Sequence, residues 1–339
     1  MTTNRLEQVA RSLVAPGKGI LAADESSGTI EKRLKAIQTA STEENRRNYR
    51  EMLFRTAGAE QFVSGVILYD ETIRQNAADG TPLVKVLSSK GIAPGIKVDT
   101  GAKQLPGSAN EKITEGLDGL RERLSEYRGL GAVFAKWRAV ITIGDEIPTD
   151  TCLDTNAHAL ARYAALCVEA GIVPIVEPEV LMDGRHTIER CYEVTERTLH
   201  AVFGELFLQR VPLEQILLKP NMVLSGSECP TQANVTQVAE ATLHCFRRTV
   251  PAAVPGIVFL SGGQSDELAT AHLSKMNEQG GGPWELSFSY GRALQAPALK
   301  AWGGKPENVA AGQKALHHRA KCNSAARYGK YTAAMERTA

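Results

Sequence analysis

Eight short stretches of the chain repeat one pattern, in which apolar or small residues lead to a polar or charged residue and then to Gly, Pro, Asp or Asn. They cover residues 19–24, 64–69, 94–98, 132–138, 172–177, 215–219, 256–261 and 285–290. Their starts lie roughly 28 to 45 residues apart, which suits a strand followed by a crossover helix. Short apolar runs that end in this way are typical of buried parallel strands.

The segments between these strands carry helical periodicity. Leu160, Ala164 and Cys167 follow the i, i+4, i+7 spacing of one helix face, and Gly171 supplies a stop signal. Residues 111–128 and 185–203 are also predicted to be helices, and an amphipathic helix begins the chain. Eight such repeats predict an α/β fold, a (β/α)8 TIM barrel. We expect a single domain over residues 1–339, with a short C-terminal tail from about residue 318.

An open doubly wound sheet is the alternative architecture. That fold normally shows a glycine-rich turn of the form GxGxxG after its first strand. Residues 24–28 have the sequence DESSG instead, which favours the closed barrel.

Composition narrows the class of protein. The 339 residues are 43% hydrophobic and 23% charged, which is ordinary for a globular protein. A net charge of +1 without a long basic stretch argues against a nucleic-acid partner. The longest uncharged run, residues 250–265, is interrupted by prolines and too short for an ordinary membrane span. The six irregularly spaced cysteines are interpreted as free thiols, and we expect a cytoplasmic protein.

In such barrels the active site lies at the carboxyl ends of the strands. The candidate residues that the pattern places at those ends are Asp24, Lys97, Lys136, Arg138, Glu177, Glu179, Lys219, Ser261 and Arg292. Lysines and carboxylates that converge from several strands are hard to explain as solvated surface.

Lys219 is the candidate nucleophile. It ends an apolar run and precedes Pro220, so its stem lies in an apolar wall that disfavours the charged amine. A second ammonium on Lys136 would favour the neutral, nucleophilic form further. The alternative is a lysine that caps its strand and points to water.

Three carboxylates are candidates for proton transfer. Glu177 and Glu179 lie on one face of their strand, and Asp24 lies across the barrel. Imine formation needs an acid to expel water and a base afterwards. The alternative is that these carboxylates only neutralise the lysines.

Two glycine-containing turns follow the seventh and eighth strands. Their backbone N–H groups and an arginine could bind a phosphate, and their residues are Ser261, Gly262, Gly263, Gly291 and Arg292. Lys32 and Arg33 could bind a second phosphate, with a charged helix face as the alternative; Arg46 is a weaker candidate. The sequence contains no HExxH motif, EF-hand loop or spaced Cys/His set, and His317 and His318 are interpreted as surface residues. We therefore expect chemistry without a metal or other cofactor.

The chain resembles the class I fructose-1,6-bisphosphate aldolases over most of its length. The motifs that carry the resemblance are LAADES at 21–26, TEENRR at 42–47, GIKVD at 95–99, FAKWR at 134–138, PIVEPEV at 174–180, LLKPNMV at 217–223, FLSGGQS at 259–265 and FSYGRALQ at 288–295. The resemblance implies a Schiff-base-forming enzyme that reversibly cleaves fructose 1,6-bisphosphate to dihydroxyacetone phosphate and glyceraldehyde 3-phosphate. It also implies a homotetramer.

The same resemblance implies a role for each matching residue. Lys219 would form the Schiff base, and Glu177 would donate and accept protons in the carbinolamine and imine steps. Asp24 and Lys136 would handle the substrate hydroxyls during carbon–carbon cleavage. The supporting residues would be Glu179 and Lys97 at the reacting centre, Ser261, Gly262, Gly263 and Arg292 at the ketose phosphate, and Lys32, Arg33 and Arg46 near the other phosphate.

Two positions depart from the family pattern. The chain has no terminal tyrosine, because its last tyrosine is Tyr331, and it has Thr29 where a serine is frequent. Two rival functions stay open: another lysine-dependent barrel lyase, similar to transaldolase or deoxyribose-phosphate aldolase, and a barrel kept as a non-enzymatic scaffold.

Overall fold

The computed structural model describes residues 2–337, with side chains from Arg5 onward. The helices are α1 (Thr2–Leu13), α2 (Ser27–Ala36), α3 (Glu43–Phe54), α4 (Asp70–Arg74), α5 (Leu83–Ser88), α6 (Leu120–Gly129), α7 (Asp150–Glu169), α8 (Ile188–Leu208), α9 (Val235–Thr249), α10 (Asp266–Glu278), α11 (Arg292–Trp302) and α12 (Val309–Arg327). The strands are β1 (Gly19–Ala23), β2 (Val63–Leu68), β3 (Ala93–Lys97), β4 (Gly101–Gln104), β5 (Lys112–Glu115), β6 (Phe134–Ile141), β7 (Val173–Val180), β8 (Leu217–Leu218), β9 (Gly256–Phe259) and β10 (Glu285–Tyr290). Short 3₁₀ turns cover Ala59–Gln61, Leu213–Gln215, Pro306–Asn308 and Ala333–Arg337.

Eight of the strands close into a barrel, in the order β1-β10-β9-β8-β7-β6-β3-β2. Every neighbouring pair that carries a register is parallel. The predicted (β/α)8 barrel is therefore confirmed, and the open sheet is excluded. Strands β4 and β5 form a separate antiparallel pair between β3 and β6.

Parallel strands covered on both faces have continuous apolar sequences. Every residue of β1, β2, β7 and β9 is buried, which matches their predicted character. Several of the intervening helices begin with side-chain caps that satisfy free backbone N–H groups. Thr149 caps α7, and Asn234 forms a capping box with Gln237 at α9.

Three predicted boundaries were wrong. Residues 111–128 are not one helix, because Lys112–Glu115 pairs with β4, and Gly116 and Gly119 take positive φ angles before α6 begins. The helix predicted over 185–203 starts at Ile188, after the Thr187 cap, and continues to Leu208. The tail does not start near residue 318, because α12 continues to Arg327.

The amino end of the barrel is closed by an apolar cluster, which we call the floor. It combines α1 with inward-facing strand residues: Leu6, Ala10, Leu13, Val14, Ile20, Ala22, Ile67, Phe134, Val173, Ile175, Leu217 and Val258. The Phe134 ring lies so close to β2 and β3 that a Cβ at Gly65 or Gly95 would come within 2.9 or 2.2 Å of it. These glycines leave room for one large ring.

None of the helices in the described part of the chain is long and apolar enough to cross a membrane.

Candidate active site

A cavity of about 1180 Å³ opens at the carboxyl ends of the strands, and we call this region the mouth. Most of the predicted site residues line it: Asp24, Lys32, Arg33, Lys97, Lys136, Arg138, Glu177, Glu179, Lys219, Ser261, Gly262, Gly291 and Arg292. Arg46 and Gly263 are absent from the lining. The polar strand ends thus converge on one cavity, as the barrel topology requires.

Lys219 is held at the end of the short strand β8. Its backbone N–H donates to the Val176 carbonyl at 2.8 Å, and its side chain is buried. The Nζ atom lies 3.1 Å from Oε1 of Glu177. The amine therefore points into the cavity toward a carboxylate, which excludes the alternative that this lysine caps its strand and points to water.

Asn221 anchors the segment that follows Lys219. Its side-chain oxygen accepts from the Val180 N–H at 3.1 Å, and its amide donates to Thr195 Oγ1 at 3.1 Å. These side-chain hydrogen bonds connect the segment to β7 and α8 beyond Pro220, where the hydrogen bonds between β7 and β8 end. They fix the position of the lysine relative to β7.

Lys136 lies between two carboxylates. Its Nζ is 2.7 Å from Asp24 Oδ2 and 3.2 Å from Glu177 Oε2. The second contact is an ion pair without hydrogen-bond geometry, so Glu177 Oε2 keeps an unused acceptor site. Each oxygen of Glu177 thus faces a different lysine, Lys219 or Lys136.

The charges of this cluster control its protonation. Burial by itself would raise the pKa of the Asp24 carboxyl, but the ammonium groups of Lys136 and Lys219 outweigh it and lower the pKa. The same balance lowers the pKa of Glu177. Burial opposes the charge on Lys136, yet Asp24 and Glu177 raise its pKa. Both carboxylates are therefore ionised at neutral pH and can accept protons.

Glu179 differs from its neighbour. Burial raises the pKa of its carboxyl, and the guanidinium of Arg138 offsets only part of the rise. The two side chains form an ion pair at the rim of the cavity. Within one strand, Glu177 and Glu179 thus have pKa values shifted in opposite directions, an arrangement typical of functional sites.

Lys97 is paired with a carboxylate that the sequence argument did not select. Its Nζ lies 2.8 Å from Asp99 Oδ1. Asp99 also accepts from the backbone N–H groups of Gly101 and Arg138. The signal available was its place at the end of the GIKVD motif.

The turns after β9 and β10 meet at one side of the mouth. Arg292 donates to the Gly262 carbonyl at 2.7 Å, which brings both predicted phosphate-binding turns together. Gly262 has a φ of +56°, which favours glycine. Gly263 donates its N–H to Met182 Sδ at 3.0 Å, outside the cavity lining.

His272 supports the turn after β9 through a chain of hydrogen bonds. Its Nδ1 lies 2.6 Å from Gln264 Oε1, and the Gln264 amide donates to the Ser261 carbonyl at 3.1 Å. Burial lowers the pKa of His272 to about 4, so the ring is neutral near pH 7. The sequence argument did not identify either residue as part of this support.

The three basic residues predicted for the second phosphate are separated. Lys32 and Arg33 line the cavity, and Arg33 pairs with the buried Glu25. Arg46 is held instead by Glu71, with its Nη2 2.7 Å from Oε2. The structure therefore offers no contact between Arg46 and the cavity.

Glu25 is a further residue that the sequence argument missed. It forms a second ion pair with the buried Arg50 at 3.1 Å and accepts from Gln295 at 2.8 Å. The network fixes the segment next to Asp24. In the sequence, Glu25 is marked only by its position directly after Asp24 in the LAADES motif.

Comparison with known proteins identifies the family. A family model described as "Glycolytic: Fructose-bisphosphate aldolase class-I" matches residues 5–339. A probable class 1 fructose-bisphosphate aldolase of Xanthomonas campestris pv. campestris is 57% identical over 98% of this chain and 99% of its own length. A cytosolic fructose-bisphosphate aldolase of Arabidopsis thaliana is 55% identical over 93% of this chain and 88% of its own length.

A solved structure agrees with these sequence matches. The fructose-bisphosphate aldolase of Plasmodium falciparum, solved in complex with TRAP and a small-molecule inhibitor, superposes with a TM-score of 0.97. It is 50% identical, and the alignment covers 98% of this chain and 96% of that one. The sequence, the barrel and the cluster of lysines and carboxylates agree: the chain belongs to the class I fructose-bisphosphate aldolase family.

Proposed function

We propose that this chain reversibly cleaves fructose 1,6-bisphosphate to dihydroxyacetone phosphate and glyceraldehyde 3-phosphate through a Schiff base on Lys219. The observation that carries the proposal is the contact of Lys219 Nζ with Glu177 Oε1 at 3.1 Å inside the mouth. An amine can attack a ketone only in its neutral form. Glu177 is placed to take the proton that the amine must lose.

Imine formation is the first stage. The neutral amine of Lys219 adds to C2 of the ketose, and the former carbonyl oxygen becomes the hydroxyl of a carbinolamine. Glu177 then donates a proton to this hydroxyl, which leaves as water and gives a protonated imine. The lowered pKa of Glu177 makes it a proton acceptor in the resting site and a donor only after it has received the lysine proton.

Carbon–carbon cleavage is the second stage. Asp24 removes the proton of the C4 hydroxyl, the C3–C4 electron pair moves into the imine, and the aldehyde product leaves. The remaining enamine takes up a proton at C3, and water hydrolyses the imine to release the ketone. Lys136, 2.7 Å from Asp24, favours the ionised carboxylate that this step needs.

The phosphate groups of the substrate would position the scissile bond. We propose that Ser261, Gly262, Gly263, Gly291 and Arg292 serve the ketose phosphate, and that Lys32 and Arg33 serve the other one, whereas Arg46 stays paired with Glu71. Lys97, Arg138 and Glu179 would support the sugar hydroxyls and the carboxylates. Fixing the substrate at both ends supplies the orientational share of catalysis.

Borohydride trapping tests the nucleophile. Incubation with fructose 1,6-bisphosphate and borohydride should reduce the imine to a stable adduct, which peptide mass spectrometry should place on Lys219. Lys219→Met should give no adduct, while the matched variant Lys97→Met should still give one. An unmodified Lys219 during turnover would overturn the proposal and favour the scaffold.

Substrate comparison tests the rival lyases. The bisphosphate should be cleaved faster than fructose 6-phosphate, since residues of both proposed phosphate-binding regions line the cavity. Turnover should also be unaffected by a chelator, because the protonated imine is the electron sink. Preference for fructose 6-phosphate would favour a transaldolase-like reaction, and loss of activity with chelator would contradict the scheme.

We also propose a cytoplasmic homotetramer. The cytosolic Arabidopsis relative supports the location. Phe207 and Leu208, at the end of α8, are 81% and 68% exposed, which is unusual for large apolar side chains unless another surface covers them. Light scattering during gel filtration should give four chains; a monomer would overturn the assembly, and a fluorescent fusion would test the location.

A further inference from the structure

A second group of reactive side chains lies outside the mouth, where α12 meets the C-terminal segment. His318 and Cys322 are four residues apart on α12 and so share one helix face. Glu336 approaches them from the 3₁₀ turn Ala333–Arg337. None of the three residues lines the mouth cavity.

The ligand atoms of these residues are already close together. His318 Nε2 lies 3.6 Å from Cys322 Sγ and 3.7 Å from Glu336 Oε2, and all three ligand atoms lie within 4.8 Å of one another. In a tetrahedral Zn²⁺ site with ordinary bond lengths, neighbouring nitrogen and sulfur ligands are about 3.6 Å apart, and nitrogen and oxygen ligands about 3.4 Å. The separations of His318 from Cys322 and from Glu336 are therefore close to those of a metal site.

Glu336 is held in place from its other side. Its Oε1 accepts from the Tyr331 hydroxyl at 2.9 Å and from Arg319. Arg319 is itself buried and donates to Thr270 Oγ1 at 2.6 Å and to the Asp266 carbonyl at 3.0 Å. These bonds leave Oε2 directed at His318, and such outer contacts orient ligands in many metal sites.

We propose that His318, Cys322 and Glu336 bind one Zn²⁺ ion, with water in the fourth position. A neutral imidazole, a thiolate and a carboxylate around a divalent cation sum to zero charge, which suits a half-buried location. Binding forms a sulfur–zinc bond and releases the thiol proton to solvent, while the three protein ligands displace water from the ion.

The thiol is protonated until a metal arrives. Burial, together with the nearby Glu336, raises the pKa of Cys322 to about 11. Glu336 already connects the C-terminal segment to the helix through its pair with Arg319. Zinc would add a second connection between that segment and α12, at a distance from the reacting carbons.

Cobalt provides a direct test with the full-length chain. Protein stripped with a chelator and kept reduced with a phosphine should be titrated with Co²⁺. A tetrahedral site with a thiolate should give strong visible absorption and a near-ultraviolet sulfur-to-cobalt band, both saturating at one Co²⁺ per chain and both removed by Zn²⁺. Only weak absorption, typical of six-coordinate Co²⁺ with oxygen ligands, would overturn the proposal.

Variants assign the ligands. Cys322→Ser should abolish the sulfur-to-cobalt band, whereas Cys229→Ser should keep it. His318→Gln and Glu336→Gln, at half-buried positions, should each weaken Zn²⁺ binding by on the order of 100-fold, since losing a ligand costs at least as much as losing an outer contact. His317→Gln, one residue away, should bind as the parent does. Unchanged binding in both ligand variants would overturn the site even if Cys322→Ser does not fold.

A third measurement follows the C-terminal segment. Lys330 is exposed, so trypsin can cut between α12 and Glu336. Zn²⁺ should slow this cleavage in the parent chain and in His317→Gln, but not in Glu336→Gln. Equal protection by Zn²⁺ in all three proteins would show that the ion binds elsewhere.

Discussion

The two ends of the barrel differ in the polarity of the side chains that they bury. The floor consists of apolar residues from α1 and from inward-facing strand positions, with Phe134 at its centre. The mouth, only a few residues further along the same strands, buries Lys136, Glu177 and Lys219. A single strand such as β6 thus begins in the floor with Phe134 and passes Lys136 on its way to the mouth.

This difference suggests that the floor contributes mainly to stability and the mouth mainly to catalysis. Burial of an aromatic ring at the floor stabilises the fold without a polar cost. Burial of lysines and carboxylates at the mouth carries a desolvation cost, which their mutual attraction must offset. Substitutions at the floor should therefore change the free energy of unfolding, whereas substitutions at the mouth should change turnover.

Lys219→Met should give the largest effect of all. It removes the amine that forms the covalent link, so kcat should fall on the order of 10⁴-fold or more, the scale of losing a nucleophile. The folded chain should unfold at a similar or somewhat lower denaturant concentration, because Glu177 loses one of its two lysine partners and keeps Lys136. Steady-state kinetics and denaturant unfolding measure both. A variant that is inactive only because it is unfolded would break the contrast.

Phe134→Ala should show the opposite behaviour. Removal of the ring from the floor should lower the free energy of unfolding by about 3–5 kcal/mol, through lost burial and the cavity left behind. The activity of the molecules that remain folded should stay near the parent value. The matched variant Phe134→Leu should lose less stability. A large loss of kcat in fully folded Phe134→Leu would show that packing in the floor also affects turnover in the mouth.

Mild acid should destabilise the chain through His272, beside the mouth. Its folded pKa of about 4 lies below the unfolded value of 6.5. Between these values the unfolded chain binds more protons, so stability falls as pH falls, by at most about 1.4 kcal/mol per pH unit. His272→Gln should reduce this slope, measured by denaturant unfolding from pH 7 to pH 4.5. An unchanged slope would assign the acid sensitivity to other groups.

The carboxylates of the mouth should respond only in stronger acid. The folded pKa values of Asp24 and Glu177 are lowered, so the stability they contribute is present above their ordinary pKa and is lost below it. The raised pKa of Glu179 acts in the opposite direction. The floor has no titratable member and should contribute no slope.

The smallest predicted effect is a change in KM, and it should distinguish an arginine that lines the mouth from one that does not. Arg292→Ala removes a cavity-lining guanidinium and should raise KM for the bisphosphate roughly 10- to 100-fold, the value of one or two charge-assisted hydrogen bonds. Arg46→Ala should change KM by less than about threefold, since Glu71 holds Arg46 away from the cavity. Equal effects in the two variants would mean that Arg46 moves to the substrate.

Much of the barrel could be predicted from local pattern. A run such as residues 172–177 is short, apolar and ends in a carboxylate, and these properties suffice to place Glu177 at a strand end. The β4–β5 pair could not be predicted, because Lys112–Glu115 becomes a strand only through pairing with a segment that precedes it. The ion-pair partners of the site residues could not be predicted from the sequence either. The place of Asp99 at the end of the GIKVD motif did not reveal that it pairs with Lys97, and no sequence feature indicated that Glu71 pairs with Arg46.

The close fit around Phe134 also constrains how related sequences can change. A methyl group at Gly95 would come within 2.2 Å of the ring, and one at Gly65 within 2.9 Å. Neither strand can gain a side chain while the ring stays, and the ring cannot shrink without leaving a void that those strands could fill. Among family members, positions 65, 95 and 134 should therefore vary together, with glycines accompanying an aromatic residue and larger residues accompanying an aliphatic one.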